Sequence, residues 1–363
     1  MSFTLRPYQH QAAEWLSRRK RGLLVSPAGS GKTLMLAYAL DMAIKSRIRG
    51  RKVRIGWMAN TREQCQQAQK AMDAFPLVAK QDIHIACAAA ATDWSDRDVL
   101  VVDECHRLAS AQGWQSQVQT CKGALWGMTA TPPEDPVQRA VLMSFLGESY
   151  VITREHVQDN LAPAVVRWLD ATDPGLKEPI DREIDRVVRI RQRYWSGDQG
   201  QLWGQVAFQK IVELGIVQNH ARNLAAIAAA TSDKQTLVLV NQVDHGQWLS
   251  EQIPNSIPFH AGMGDKPRRE AIASFTAGNT RCLVSTTALE EGFDAPNAEV
   301  LVMVSGGKSS RIAEQATGRV LRKFLGKTHG QVFDFRDTFH PLAAKHSKAR
   351  GEVYLRLGYT ILP

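Results

Sequence analysis

Short apolar runs alternate with longer amphipathic stretches along the first part of the chain. Residues 23–26, 53–58, 83–87, 99–102 and 125–128 are mostly aliphatic or β-branched at consecutive positions. That is the pattern of parallel strands buried on both faces. Between them, residues 33–44 and 62–73 carry helical spacing. This βαβα rhythm predicts a parallel sheet covered by helices. It stops near Pro132-Pro133. Residues 167–179 read as a loop, with Asp173-Pro174-Gly175 as a turn signal. Residues 181–194 and 201–230 read as helices, the second interrupted by Gly204 and Gly215. The alternation then resumes, with strands expected at 236–240, 256–260, 281–285, 300–304 and 331–335. The expectation is an α/β chain with one unit over 1–150, a helical linker over 151–232 and a second unit over 233–363.

The length of 363 residues allows two or three domains, and 44% hydrophobic with 22% charged residues fits a globular protein. No apolar run approaches the roughly 20 residues needed to span a membrane. The N-terminus lacks the cationic-then-apolar layout of a signal peptide. Cys65, Cys87, Cys105, Cys121 and Cys282 are scattered and never spaced as CxxC. A disulfide framework or structural zinc site is not expected, and a reducing cytoplasm is. The net charge is +9, divided as +6 over residues 1–150 and +3 over the remainder. Such a surplus points toward a polyanionic partner, although a merely soluble basic protein would show it too.

The first expected strand runs into Ser26-Pro27-Ala28-Gly29-Ser30-Gly31-Lys32-Thr33, followed by a helical pattern. This is the logic of a phosphate-binding loop (P-loop), with Ser26 in place of the first glycine of the strict form. Gly29 and Gly31 can turn backbone N–H groups inward on phosphate oxygens. Lys32 supplies charge to the β- and γ-phosphates of ATP, and Thr33 offers a hydroxyl to Mg²⁺. The helix N-terminus behind them adds about half a positive charge. Further along, Val99-Leu100-Val101-Val102 leads into Asp103-Glu104-Cys105-His106. A buried strand ending in two carboxylates places both at the carboxyl edge of the sheet, where α/β ligands bind. Asp103 is suited to hold Mg²⁺ through water, and Glu104 to orient and deprotonate an attacking water.

Asp-Glu-Cys-His resembles the DExH form of motif II of superfamily 2 helicases, and other stretches resemble motifs of that family in the expected order. Leu5-Arg6-Pro7-Tyr8-Gln9 is similar to the adenine-recognising element, with Arg6 and Gln9 as the implied readers. Thr61-Arg62-Glu63 resembles motif Ia, which implies backbone contacts to nucleic acid from Thr61 and Arg62. Thr129-Ala130-Thr131-Pro132 resembles motif III, which implies that Thr129 and Thr131, with His106, couple the ATP site to nucleic acid. Phe259-His260-Ala261-Gly262-Met263 resembles the segment before motif V, with His260 and Gly262 near a phosphate. Residues 285–296 resemble motif V, with Thr286 on the nucleic-acid backbone and Gly292 and Asp294 near the nucleotide. Gln315-Ala316-Thr317-Gly318-Arg319-Val320-Leu321-Arg322 resembles motif VI, Gln-x-x-Gly-Arg-x-x-Arg. Arg319 and Arg322 are spaced to share a helix face, and Gln315 belongs to the same motif. A planar, permanently charged guanidinium can meet the charge that builds on a γ-phosphate.

The resemblance implies two tandem RecA-like P-loop domains, ATP and Mg²⁺, and a monomeric motor near the minimal size. It would be cytoplasmic and bacterial, archaeal or phage-encoded. The implied partner is nucleic acid, with single-stranded or branched DNA as first choice, and a protein partner for loading is compatible. An RNA helicase of the same fold, an annealing or remodelling factor, and a motor subunit of a larger nuclease machine remain open. Two basic runs could contact phosphates or could be solvated surface. One holds Lys45, Arg47, Arg49, Arg51, Lys52 and Arg54. The other holds Arg186, Arg189, Arg191 and Arg193, followed by Tyr194-Trp195, whose rings could stack on bases.

Overall fold

The computed structural model describes residues 5–27, 29–47, 51–157, 162–170, 173–260, 262–286, 297–307, 313, 316–318 and 327–362. The chain divides into two compact units, one of residues 1–161 and one of residues 162–290 and 294–363. Each holds its own sheet, and every strand pairing described is parallel.

The first sheet contains β1 (Arg21–Val25), β2 (Arg54–Ala59), β3 (Asp82–Cys87), β4 (Val99–Val102), β5 (Ala124–Thr129) and β6 (Ser149–Val151). Their order is β3-β2-β4-β5-β1-β6. The four inner strands are buried almost throughout, because helices cover both faces. This is why they read as unbroken apolar runs. The edge strands β3 and β6 are half-exposed. Gly56 leaves room for the buried Trp94 ring, which lies 2.8 Å from where a Cβ would stand. Gly127 does the same for Cys105 Sγ, at 2.9 Å. The step from β1 to β2 crosses β5 and β4, so the segments leaving β1, β4 and β5 share one carboxyl edge. That is the usual place for a ligand in an open α/β sheet.

The second sheet contains β7 (Ala164–Leu169), β8 (Thr236–Val240), β9 (Ser256–Phe259), β10 (Cys282–Thr286), β11 (Val300–Met303), β12 (Gly330–Phe335) and β13 (Thr360–Leu362). Their order is β13-β7-β12-β11-β8-β10-β9. Val238 stands in register between Val284 and Val302 at its centre. No described helix is long and apolar enough to cross a membrane.

The stretch 151–232 does not stand apart as a linker. β7 pairs along its whole length with β12, where a loop was expected from residue 167. Ala164 and Val166 are buried, Arg167 is exposed and the other three are half-buried, so it lacks the fully buried run of a central strand. The helices Lys177–Arg191, Gln199–Lys210 and His220–Ala230 send Ile180, Ile184, Leu202, Val206 and Ala226 into the core of the second unit. The expected helix over 201–230 passes through a π-helical turn at Ile211–Val217 and restarts behind the N-cap Asn219. Asn219 Oδ1 accepts from the Arg222 N–H at 3.0 Å.

Two buried arginines tie this unit together. Arg222 Nε donates to Asp337 Oδ1 at 2.9 Å, and Arg350 Nε to Asp334 Oδ2 at 2.8 Å. Both guanidinium groups are almost wholly out of solvent, and their charges balance within the cluster. Removing one partner of such a pair typically costs about 3–5 kcal/mol, because the other charge stays buried.

Gly215 lies in the π-helical turn against Phe339, and a Cβ there would stand 2.1 Å from the ring. Gly215→Ala is therefore expected to destabilise the second unit by about 1–3 kcal/mol, read from urea unfolding. Adding Phe339→Leu should recover part of that loss.

Candidate nucleotide and nucleic-acid site

The P-loop leaves β1 and enters the helix Lys32–Arg47. Gly29 and Gly31 take positive φ, 81° and 83°, which side chains rarely tolerate. Ser26 does not, and its N–H continues the pairing by donating to the Thr129 carbonyl at 3.0 Å. The serine in place of the first glycine is thus accommodated without backbone strain. Lys32 Nζ lies across the loop, donating to the Ser26 and Pro27 carbonyls at 3.2 and 3.4 Å. Thr33 follows in the first turn of the helix.

The element before β1 braces this loop. In the helix Pro7–Ser17, Tyr8 Oη and Gln9 Nε2 both donate to the Ser30 carbonyl, at 2.9 and 2.8 Å. Gln9 Oε1 accepts from the Arg6 N–H at 3.0 Å, and Arg6 itself is exposed. The Gln9 amide thus joins residue 6 to the P-loop. Tyr8 was not among the expected site residues. It stood inside the quoted motif, but nothing local signals its bond to residue 30.

Asp103 and Glu104 follow β4 directly. The Asp103 N–H donates to the Met58 carbonyl at 2.9 Å, and Asp103 Oδ1 accepts from the Glu104 N–H at 2.8 Å. Glu104 sits in the left-handed region, φ 47° and ψ 45°, a strain of about 1–2 kcal/mol for a residue with a side chain. Its Oε2 lies 3.3 Å from His106 Nδ1, which also lies 3.0 Å from Thr129 Oγ1. Thr129 Oγ1 in turn accepts from the Thr131 N–H at 3.2 Å. A chain of close polar contacts thus runs Glu104–His106–Thr129–Thr131. Burial pushes the Glu104 carboxyl up, but His106, Lys32 and Arg107 outweigh it and hold the acid below its ordinary range. Glu104 is therefore ionised at neutral pH, beside the P-loop lysine.

These groups suit a magnesium nucleotide. Ser26 Oγ, Ser30 Oγ and Thr131 Oγ1 are buried with no hydrogen-bond partner among the described residues. Among the described residues no cluster of three or more His, Cys, Asp or Glu forms a metal cage. One carboxylate, Asp103, and one hydroxyl, Thr33, fit an ion that takes its other ligands from phosphate and water, as Mg²⁺ does.

Residues 219–324 match the family described as helicase conserved C-terminal domain. Residues 2–93 and 89–134 match that described as type III restriction enzyme, res subunit. The chain belongs to the superfamily 2 helicases. It is 26% identical over 336 residues to a putative DNA 3'-5' helicase Rad25 of Halobacterium salinarum, covering 88% of this chain and 52% of that protein. It is 22% identical over 357 residues to the DNA 3'-5' translocase XPB2 of Sulfurisphaera tokodaii, covering 88% and 79%. The chain spans about half the length of the first of these relatives. The Hef helicase domain of Pyrococcus furiosus shares the fold, with a TM-score of 0.56 at 13% identity over 95% of this chain and 98% of that one. The two sheets are thus those of tandem RecA-like domains.

Within this superfamily 2 chain, the expected nucleic-acid contacts lie at carboxyl edges. Thr61 and Arg62 follow β2, the neighbour of β4. Thr61 caps the helix Arg62–Asp73, its Oγ1 accepting from the Gln64 N–H at 3.2 Å, while Arg62 is exposed. In the second unit, Thr286 ends β10 and His260 follows the adjacent β9. His260 Nδ1 is buried without a partner among the described residues, and Gly262 is exposed beside it. Arg186, Arg189, Arg191 and Arg193 are exposed, and Tyr194 is 88% exposed. Ala28, Gly292, Asp294, Gln315, Arg319 and Arg322 lie outside the described residues.

Gly31 joins a positive φ to a tight contact, since a Cβ would stand 2.6 Å from Gln9 Nε2. Gly31→Ala is expected to weaken ATP binding by about tenfold or more, from strain of about 1–3 kcal/mol. Titration with a fluorescent ATP analogue reads the change.

Proposed function

We propose that the chain is an ATP-dependent motor that translocates on, or unwinds, DNA. The observation that carries this reading is the placement of Glu104 at the end of β4, its Oε2 3.3 Å from His106 Nδ1, which lies 3.0 Å from Thr129 Oγ1. Gly29, Gly31 and Lys32 receive the phosphates of ATP, and Arg6 and Gln9 are the proposed readers of its base. Thr33 and Asp103 are the residues that would hold Mg²⁺, which supplies charge neutralisation on the β- and γ-phosphate oxygens. Glu104 orients a water and accepts its proton as the water attacks the γ-phosphorus, and ADP and phosphate leave. Arg319 and Arg322 meet the charge on the transferring group, with Gln315 beside them in the motif, and Gly292 and Asp294 complete the nucleotide contacts.

His106, Thr129 and Thr131 form the route by which the state of the ATP site reaches the grip on nucleic acid. Thr61, Arg62, His260, Gly262 and Thr286 are the proposed backbone contacts. The exposed arginines before Tyr194 extend them. Nucleotide-driven closing and reopening of the two domains on a strand would give stepping. DNA is favoured over RNA because the relatives that align over most of this chain are named for DNA, and the same names favour 3'-5' movement. A monomeric, cytoplasmic protein is consistent with the basic, globular sequence.

Glu104→Gln keeps the shape of the side chain and removes the base. Turnover is expected to fall by about 10²–10⁴, while ATP affinity changes little. Unchanged turnover would remove Glu104 from the reaction.

A further inference from the structure

The first basic run of the chain lies away from the carboxyl edge. Lys52 precedes β2 and Arg54 opens it, so both stand on the amino edge of the first sheet. Two other segments bring cations to the same edge, Lys20 and Arg21 at the start of β1 and Lys122 just ahead of β5. Backbone bonds stitch these starts side by side. The Asp98 N–H donates to the Arg54 carbonyl at 2.8 Å, the Ala124 N–H to the Asp98 carbonyl at 2.9 Å, and the Leu125 N–H to the Lys20 carbonyl at 2.8 Å. The strands follow one another as β2-β4-β5-β1, so these cations are spread along about 14 Å of edge at the usual strand spacing. Lys20, Arg21, Lys52, Arg54 and Lys122 are all exposed.

The acids at this edge are already engaged. Asp98 accepts from Arg51 Nη1 at 2.8 Å and Nη2 at 2.9 Å, and from the Arg54 N–H at 2.8 Å. The Arg51 guanidinium above all holds the Asp98 carboxyl below its ordinary range. The same bonds fix the turn that carries Lys52. Asp96 is taken by Arg97, and Glu148 by Arg19. Gly123 lies so close to the Arg97 and Asp98 carbonyls that a side chain would not fit, which brings Lys122 against the same turn. Lys20, Arg21, Lys52 and Lys122 have no ion pair among the described residues. Cations held along one edge repel one another, and they gain most from a partner that carries several negative charges.

None of the large hydrophobic side chains exposed among the described residues belongs to these strand starts. A protein interface is centred on apolar and aromatic side chains, and an unpaired base needs a ring to stack on. A duplex asks for neither, because its outer surface is a row of phosphates. We propose that the amino edge of the first unit is a second DNA surface, which takes the backbone of a duplex arm through Lys20, Arg21, Lys52 and Lys122. The proposal rests on the reading of the chain as a DNA motor. β2 sets the distance from the strand contacts proposed for the same unit. Its six residues, Arg54–Ala59, span roughly 20 Å, and Thr61 and Arg62 follow its far end. A duplex rises about 3.4 Å per base pair, so an arm of about six base pairs is the shortest that reaches from one edge to the other.

The test is the affinity of the full chain, by fluorescence anisotropy, for a single DNA strand and for the same strand carrying a short or a long duplex arm, about 4 or about 20 base pairs. The parent is expected to bind the long-arm DNA about tenfold or more tightly than the single strand, and the short-arm DNA no more tightly. The combined variant Lys20→Gln, Arg21→Gln, Lys52→Gln and Lys122→Gln should lose that gain. Its slope of log affinity against log salt on the long-arm DNA should be shallower by about three to four. Its single-strand affinity, its urea midpoint and its kcat for ATP at saturating single strand should stay near the parent, because the P-loop leaves β1 at the other end. Lys20→Arg, Lys52→Arg and Lys122→Arg together keep the charge and should keep the gain. A parent that binds the single strand and gains nothing from the long arm overturns the proposal and leaves the motor reading standing. A gain that survives the glutamine variant overturns it too, and so does a glutamine variant that loses single-strand affinity as much as arm affinity. A parent that binds no DNA removes the motor reading, and this proposal falls with it.

Discussion

A carboxylate buried at a sheet edge stays ionised only while positive or donating groups remain beside it, and Glu104 depends on Lys32 and His106 for this. The constraint reaches outward in both directions. Lys32 keeps its place because Gly29 and Gly31 bend the P-loop and because Tyr8 and Gln9 pin the Ser30 carbonyl. His106 keeps its place through Thr129, at the carboxyl end of the strand between β1 and β4. The strained backbone of Glu104 is therefore held from several sides. Strain of this kind persists where surrounding structure over-determines it.

The second unit solves a different problem with similar means. It has to hold the turn at residues 304–307, which follows β11, at the edge of a sheet whose centre is aliphatic. Arg222 and Arg350 do this from inside, neutralised by Asp337 and Asp334, with guanidinium protons left over for the carbonyls of Val304 and Gly307. A hydrophobic replacement could fill the same space, but it could not hold those carbonyls.

The central strands were legible in the sequence because both of their faces are buried, so 99–102 and 236–240 appear in the structure with the bounds expected. The P-loop and acidic box were legible because their chemistry is packed into eight and four consecutive residues. β7 and β13 were not, since each presents a half-exposed face and β13 is only three residues long. That loss shifted the expected start of the second unit from 162 to 233. The remaining omissions are contacts between distant residues. Tyr8 meets residue 30, Tyr359 meets residue 317, and Arg222 meets residue 337. No spacing rule connects such pairs. The left-handed Glu104 is likewise a product of its surroundings, not of local propensity.

ATP turnover measured alone and with single-stranded DNA, duplex DNA, forked DNA and RNA, each over a range of salt, tests the motor account most directly. The account predicts turnover that rises steeply with DNA, less with RNA, and falls back as salt displaces the strand. Turnover that is the same with and without every nucleic acid would contradict it.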